Sequence, residues 1–197
     1  MTESSLLDMS ASQLKEFVNG CDAIVSCLGH NLTFQGIWGH PRKLVTTAVE
    51  RLSEAVLSID GNKKVKFVLM GTILAENPNG KDDVRPLSER AVLSILRWLV
   101  PPHVDNEEAA AYFYNQHKLS GRLEWCVVRP DGLVDNEQTT PYTLYEKPQA
   151  GLFGGGTASR INVAHSMVEL IEKEVLWTKW KFQMPVLDDD KPTEETK

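Results

Sequence analysis

Residues 65–72 read Val65-Lys66-Phe67-Val68-Leu69-Met70-Gly71-Thr72, a short apolar run closed by a glycine. Ala23-Ile24-Val25-Ser26-Cys27-Leu28, led in by Asp22 and closed by Gly29, and Leu123 to Val128, closed by Arg129-Pro130, repeat the pattern. Short apolar runs without alternation suit strands buried on both faces. Between and around them the apolar period lengthens to that of helices. Ser10 with Gln13 makes a capping box, Leu14, Phe17 and Val18 share one face, and Gly20 gives a stop. A long helix is predicted from about Pro41 to Ile59, with Leu44, Val45, Ala48, Val49, Leu52, Ala55, Val56 and Ile59 on its apolar face and Gly61-Asn62 at its end. Leu87 to Val100 predicts a third helix, stopped by Pro101-Pro102. Asp105 and Glu108 form a second capping box, opening a helix through about Leu119. Asn162 can cap a helix through Val175, and Phe182 to Leu187 reads as a last strand. Residues 131–161, with Gly154-Gly155-Gly156, read as loop.

Alternating strands and helices predict an α/β fold: a parallel sheet of about four strands with right-handed crossovers and about five helices on both faces. In such sheets ligands bind beyond the carboxyl ends of the strands. That directs attention to residues 26–30, 71–76 and 129–134.

Composition narrows the function. The 197 residues carry 24% charged and 42% hydrophobic side chains and a formal net charge of −6, ordinary for a globular domain with a real core. The acidity argues against nucleic acid or an anionic membrane as main partner. Half of it sits in residues 188–197, whose five acids and two lysines read as a disordered acidic tail behind a single domain over residues 1–187. No apolar run reaches membrane-spanning length. The start, Met1 to Ser10, has no basic region and no long apolar stretch, unlike a signal peptide. Cys21, Cys27 and Cys126 are odd in number and lack metal spacing; reduced, buried thiols in a cytoplasmic protein are the expectation.

The three strand ends resemble those of atypical or extended short-chain dehydrogenase/reductases, the NmrA-like, NAD(P)H-binding Rossmann type. Asp22 to His30 resembles the family's fourth strand and turn. Val68-Leu69-Met70-Gly71-Thr72 resembles the strand ending in its Ser or Thr. Trp125 to Leu133, with Arg129-Pro130-Asp131-Gly132-Leu133, resembles its Arg-Pro-Gly-Gly-Leu strand and loop. Thr157 to Ala164 and Met184-Pro185-Val186 resemble later family segments. The resemblance covers roughly residues 5 to 187. It implies a Rossmann-like sheet, NAD(P) as cofactor, and reduction of a small carbonyl-type substrate.

One departure stands out. The family's first strand, glycine-rich turn and helix hold the pyrophosphate, and no G-x-G-x-x-G precedes the first strand here. Residues 2–8 resemble the end of the family's third strand, as though roughly 60 residues, two strand-helix units, were absent. Gly154-Gly155-Gly156 lacks the strand-turn-helix context that would replace the turn. Losing two or three charged hydrogen bonds costs ~4–6 kcal/mol, or ~10³–10⁴-fold in affinity, so weak or absent NAD(P) binding is expected. The missing neighbour would also leave strand 23–28 at an edge, needing a second copy or another partner to cover it. A non-catalytic half-Rossmann interaction or dimerisation module is the alternative reading.

By resemblance, Ser26, Cys27, Leu28 and Gly29 run along the adenosine side. Gly71, Arg129, Pro130, Asp131 and Gly132 border the nicotinamide, with Arg129 as a structural ion-pair residue in the alternative. Thr72 ends a strand, where its hydroxyl can polarise a substrate carbonyl or cap a turn. Asn106, beside Asp105 and Glu107 at a helix start facing the crevice, is the second catalytic candidate; capping is its alternative. Tyr114 and Lys118 match the family's Tyr-x-x-x-Lys pair but sit near the amino ends of the strands, far from that crevice. His30 reads as exposed on a turn. His40, His103, His117 and His165 lack ligand spacing, so no metal is expected.

Overall fold

A computed structural model describes residues 5–31, 33–115 and 121–190. Three strands carry the core: β1 (Ala23–Ser26), β2 (Val65–Met70) and β3 (Leu123–Pro130). They pair in parallel, with Ser26 beside Leu69 and Met70 beside Val128. β2 and β3 send alternate residues to opposite faces, the period of two. Val65, Phe67, Leu69, Leu123, Trp125 and Val127 face α1 (Ala11–Val18), α3 (Leu44–Leu57) and α5 (Pro101–Asn115). Val68, Cys126 and Val128 face α6 (Arg160–Glu172) and α7 (Glu174–Trp180). Apolar residues on both faces explain the uninterrupted runs in the sequence. α2 (Phe34–Trp38) and α4 (Leu87–Leu99) complete the helices.

Several expectations need correction. The described residues form seven strands and seven helices, not about four and five. The stretch 131–161 is not all loop: β4 (Gly132–Val134), β5 (Tyr142–Tyr145) and β6 (Thr157–Ser159) lie in it. β4 and β6 make a separate two-stranded parallel sheet. β7 (Val186–Asp189) pairs antiparallel with β5, so the main sheet, ordered β1-β2-β3-β7-β5, is mostly rather than wholly parallel. β7 runs two residues past the expected domain end. Asp188 pairs with Thr143 and Asp189 with Tyr142; residues 191–197 of the expected tail lie outside the described residues. Ser159, not Asn162, caps α6. Asn162 is buried and donates from Nδ2 to Thr140 Oγ1 and Asp189 Oδ1, at 2.9 and 2.8 Å.

α5 begins at Pro101, four residues before the predicted cap. Prolines suit a first turn, whose N–H groups have no intrahelical acceptor. Asp105 therefore lies inside α5 and caps a different helix. α3 has no side-chain cap of its own, and Asp105 accepts from Val45 N and Thr46 N at 2.8 and 2.9 Å. β1 is an edge of the described sheet, and its Val25 is 47% exposed. Cys126 is buried, Cys21 half-buried, and Cys27 exposed rather than buried as expected.

Candidate cofactor and substrate crevice

β1, β2 and β3 end within about two residues of one another, and the chain beyond β2 stays in register with β3. Gly71 N donates to Val128 O at 2.7 Å, and Ile73 N to Pro130 O at 3.1 Å. Ser26–Gly29, Gly71–Thr72 and Pro130–Gly132 therefore share one rim at the carboxyl edge.

Each rim residue has a definable environment. Ser26 is 4% exposed, and its Oγ is buried without a hydrogen-bond partner. A buried orphan hydroxyl costs about 1–3 kcal/mol, so its place at a rim suits a ligand hydroxyl or a water. Partial burial of its sulfur against Met167, with Sγ 3.8 Å from Met167 Sδ, pushes the Cys27 thiol up and keeps it protonated although the residue as a whole is exposed. Over Gly29 the space is open: an added Cβ would meet nothing within 4 Å. At Gly71 a Cβ would lie 2.9 Å from Val127 Cγ1, so the missing side chain lets the turn close onto β3. Thr72 Oγ1 accepts from Leu74 N at 3.3 Å. Accepting uses a lone pair, so the hydroxyl proton can still point at a ligand. Asp131 is half-buried, and its Oδ1 accepts from Gly132 N at 2.7 Å.

Arg129 does not point at the rim. It is fully buried, donating from Nε to Met184 O, from Nη1 to Ala75 O and Asp82 Oδ2, and from Nη2 to Asp82 Oδ1 at 2.9, 3.0, 2.6 and 2.8 Å. Four of its five N–H donors are thereby engaged. Burial raises the Asp82 pKa, but the hydrogen bonds and charge of Arg129 outweigh it and hold this carboxyl below its usual range. Arg129 thus fastens the segment after β2 to β3 and shapes the rim from behind.

Asn106 is drawn away as well, donating from Nδ2 to Pro102 O of its own helix at 3.0 Å. His30 is not exposed: its side chain is 5% accessible, with Nε2 2.8 Å from Asp105 Oδ2 and Nδ1 3.2 Å from Gly36 O. Tyr114 packs edge-on against Trp125, in the amino-terminal half of β3; Lys118 and His117 lie outside the described residues. Among the described residues no group of three His, Cys, Asp or Glu side chains could hold a metal.

Four residues contribute through contacts that the sequence does not signal. Asp82 and Asp105 act on partners 47 and about 60 residues away. His103 is 6% exposed, neither ring nitrogen makes a hydrogen bond, Nε2 lies 3.6 Å from Glu107 Oε1, and burial pushes its pKa down. Arg85 donates from Nη2 to Ile73 O at 2.8 Å. Its side chain helps wall a cavity of about 370 Å³ beside the rim, with Asp82, Glu89, Gln149 and Gly151.

A match to the NAD(P)H-binding family spans residues 3–174. The chain belongs to that family. No curated protein sequence matches it. Among solved structures it is similar to a candidate NADH-flavin reductase from Streptococcus pneumoniae TIGR4, at 16% identity and TM-score 0.64, covering 96% of this chain and 80% of that one. It is similar to a short-chain dehydrogenase/reductase from Veillonella parvula in complex with NADP, at 16% identity and TM-score 0.57, covering 98% and 75%. An anaerobilin reductase from Escherichia coli O157:H7 matches at 20% identity and TM-score 0.57, covering 96% and 75%. At such identities these likenesses show the fold, an α/β Rossmann-like domain. No described helix is long and apolar enough to cross a membrane.

The residues present fit a nicotinamide cofactor at one end only. The open space over Gly29 leaves room on the rim, and the buried Ser26 hydroxyl is a polar group still without a partner. A pyrophosphate needs free backbone N–H groups at a helix start. Near this rim Asp105 takes two N–H groups at the start of α3, α5 opens on two prolines and Ser159 takes one N–H of α6, whereas α4, which follows β2, starts without a side-chain cap.

Proposed function

We propose that the chain is an NAD(P)H-dependent oxidoreductase acting on a small carbonyl-type substrate, and that it holds its cofactor weakly. The observation that carries the reading is the common rim of Ser26–Gly29, Gly71–Thr72 and Pro130–Gly132 in a member of the NAD(P)H-binding family. The nicotinamide, when bound, supplies a hydride. Ser26 to Gly29 line the adenosine side; Pro130, Asp131 and Gly132 border the nicotinamide. Thr72 donates its hydroxyl proton in a hydrogen bond to the substrate oxygen. Arg129 positions the rim through Asp82, and Asn106 orders the first turns of α5. The Asp105 carboxylate already bound at the start of α3 supports weak affinity.

Titration with NADPH by calorimetry tests the affinity: a millimolar dissociation constant is expected, and low-micromolar binding overturns the weak grip. NADPH oxidation with a panel of quinones and aldehydes tests the activity. Thr72→Ala should slow turnover about a hundredfold, the effect of losing one oxygen-stabilising donor, and Thr72→Ser should retain most of it. Absence of turnover with every acceptor at saturating NADPH overturns the enzymatic reading in favour of an interaction module.

A further inference from the structure

α4 is an amphipathic helix whose second face has no partner within the chain. Its inward side buries Glu89 and Leu93. On the opposite side Leu87, Ala91, Ile95 and Trp98 follow at spacings of four, four and three, one narrow stripe along a helix. Leu87 is 79%, Ile95 55% and Trp98 82% exposed, and Val84, just before the helix, 91%. Ser88 and Ser94 flank the stripe. Isolated exposed apolar residues are normal, whereas a contiguous stripe marks an interaction site.

We propose that this stripe is a two-fold interface with a second copy of the chain, α4 crossing its symmetry mate in antiparallel fashion at Ala91. A two-fold contact requires a patch complementary to itself, and the order of side-chain sizes meets that condition. Ala91, the smallest residue of the stripe, lies at the crossing and permits close approach. Leu87 then meets Ile95 of the partner subunit, and Trp98 meets Val84 of the partner subunit. The four apolar side chains offer on the order of 500 Å² per copy, about 1,000 Å² for the pair, the threshold of a specific interface. A membrane surface fits less well. Interfacial helices carry many basic residues on the polar face; α4 has Arg90 and Arg97 alone, and Arg97 is bound to Glu107 in a chain of net charge −6.

Sedimentation equilibrium of the full chain up to about 100 µM decides it, with a dimer mass expected. Ile95→Glu and Trp98→Glu should each weaken the dimer about thirtyfold or more, as the loss of a buried apolar anchor does. Ala91→Arg should do the same by blocking the crossing, and all three should keep the wild-type circular dichroism. Val25→Lys, on the exposed edge strand β1, should leave the dimer intact. A wild-type monomer at the highest concentration overturns the proposal, as does a dimer that survives the α4 substitutions or is lost on Val25→Lys. Binding to phosphatidylcholine vesicles, with or without phosphatidylserine, that is lost in Trp98→Glu while the free chain is monomeric also overturns it.

Discussion

The two ends of β3 each carry a charge inside an otherwise apolar strand, and they handle it differently. At the carboxyl end Arg129 is sealed from water and has one carboxylate, Asp82, for a counter-charge. At the amino end the Glu124 side chain is 11% exposed and shares several partners: Lys64 at 2.8 Å, Lys181 at 3.4 Å, and the Trp177 indole N–H, which donates to it at 2.7 Å. Burial alone raises the Glu124 pKa, but the Lys64 and Trp177 hydrogen bonds and the Lys181 charge outweigh it and hold this carboxyl at about 2. A buried charge with a single counter-charge makes a brittle joint. A charge at the amino end of the strand with several charged and polar partners makes a redundant one. The brittle joint lies behind the ligand crevice, where it pins the segment from Ala75 to Asp82 to the strand; the redundant one lies at the far edge of the sheet.

The largest effect should come from breaking the brittle end. Asp82→Asn leaves the Arg129 guanidinium buried without a counter-charge, which typically costs about 3–5 kcal/mol. Chemical denaturation should show that loss, and hydrogen exchange should speed up over residues 72–85. The double variant Asp82→Leu with Arg129→Met should recover most of the stability, since a buried ion pair is often replaceable by apolar residues of similar volume. If Asp82→Asn costs under about 1 kcal/mol, the contrast between the ends collapses.

Glu124→Gln should cost less, about 1–2 kcal/mol at neutral pH, because Lys64 and Lys181 stay partly solvated and the Trp177 N–H keeps an oxygen acceptor. Its pH dependence is the sharper measurement. The folded-state pKa lies below the ordinary value near 4.5, so the carboxylate stabilises the fold above that value. The contribution fades as pH falls from about 4.5 toward about 2. Wild type and Glu124→Gln should therefore differ in melting temperature at pH 7 and converge near pH 2, with NADPH affinity at pH 7 unchanged.

What the sequence exposed and what it hid follow from range. β1, β2 and β3 were legible because a strand covered on both faces must be apolar along its length, a property of consecutive residues. The rim followed from the same runs, since Ser26, Gly71, Thr72 and Pro130 stand at or just beyond their ends. β4, β5 and β6 are only three or four residues long, and none is an apolar run buried along its whole length, so they carry no such pattern. The capping-box spacing at Asp105 pointed to a helix start, but its carboxylate serves a helix about 60 residues earlier in the chain. Arg129 carries two readings in the sequence, a nicotinamide neighbour beside Pro130 and Asp131 or a structural ion-pair residue, and its buried pair with Asp82, 47 residues away, is of the second kind. Local signals fixed which segments meet; long-range hydrogen bonds fixed which way the charged side chains turn.

The smallest effect tests the redundancy itself. Lys64 is 61% exposed and provides one of several interactions at Glu124, so Lys64→Met should cost about 0.5 kcal/mol, the value of an exposed ion pair. In a domain of this size that lowers the melting temperature by roughly 1–2 °C, and added salt should shrink the difference further. Lys181 and Trp177 continue to hold the carboxylate, so its pKa, followed by NMR, should rise yet stay below the ordinary value. A fall in stability as large as that of Asp82→Asn would show that Glu124 depends on a single partner after all. The two ends of β3 would then be equally brittle, and only their distance from the crevice would separate them.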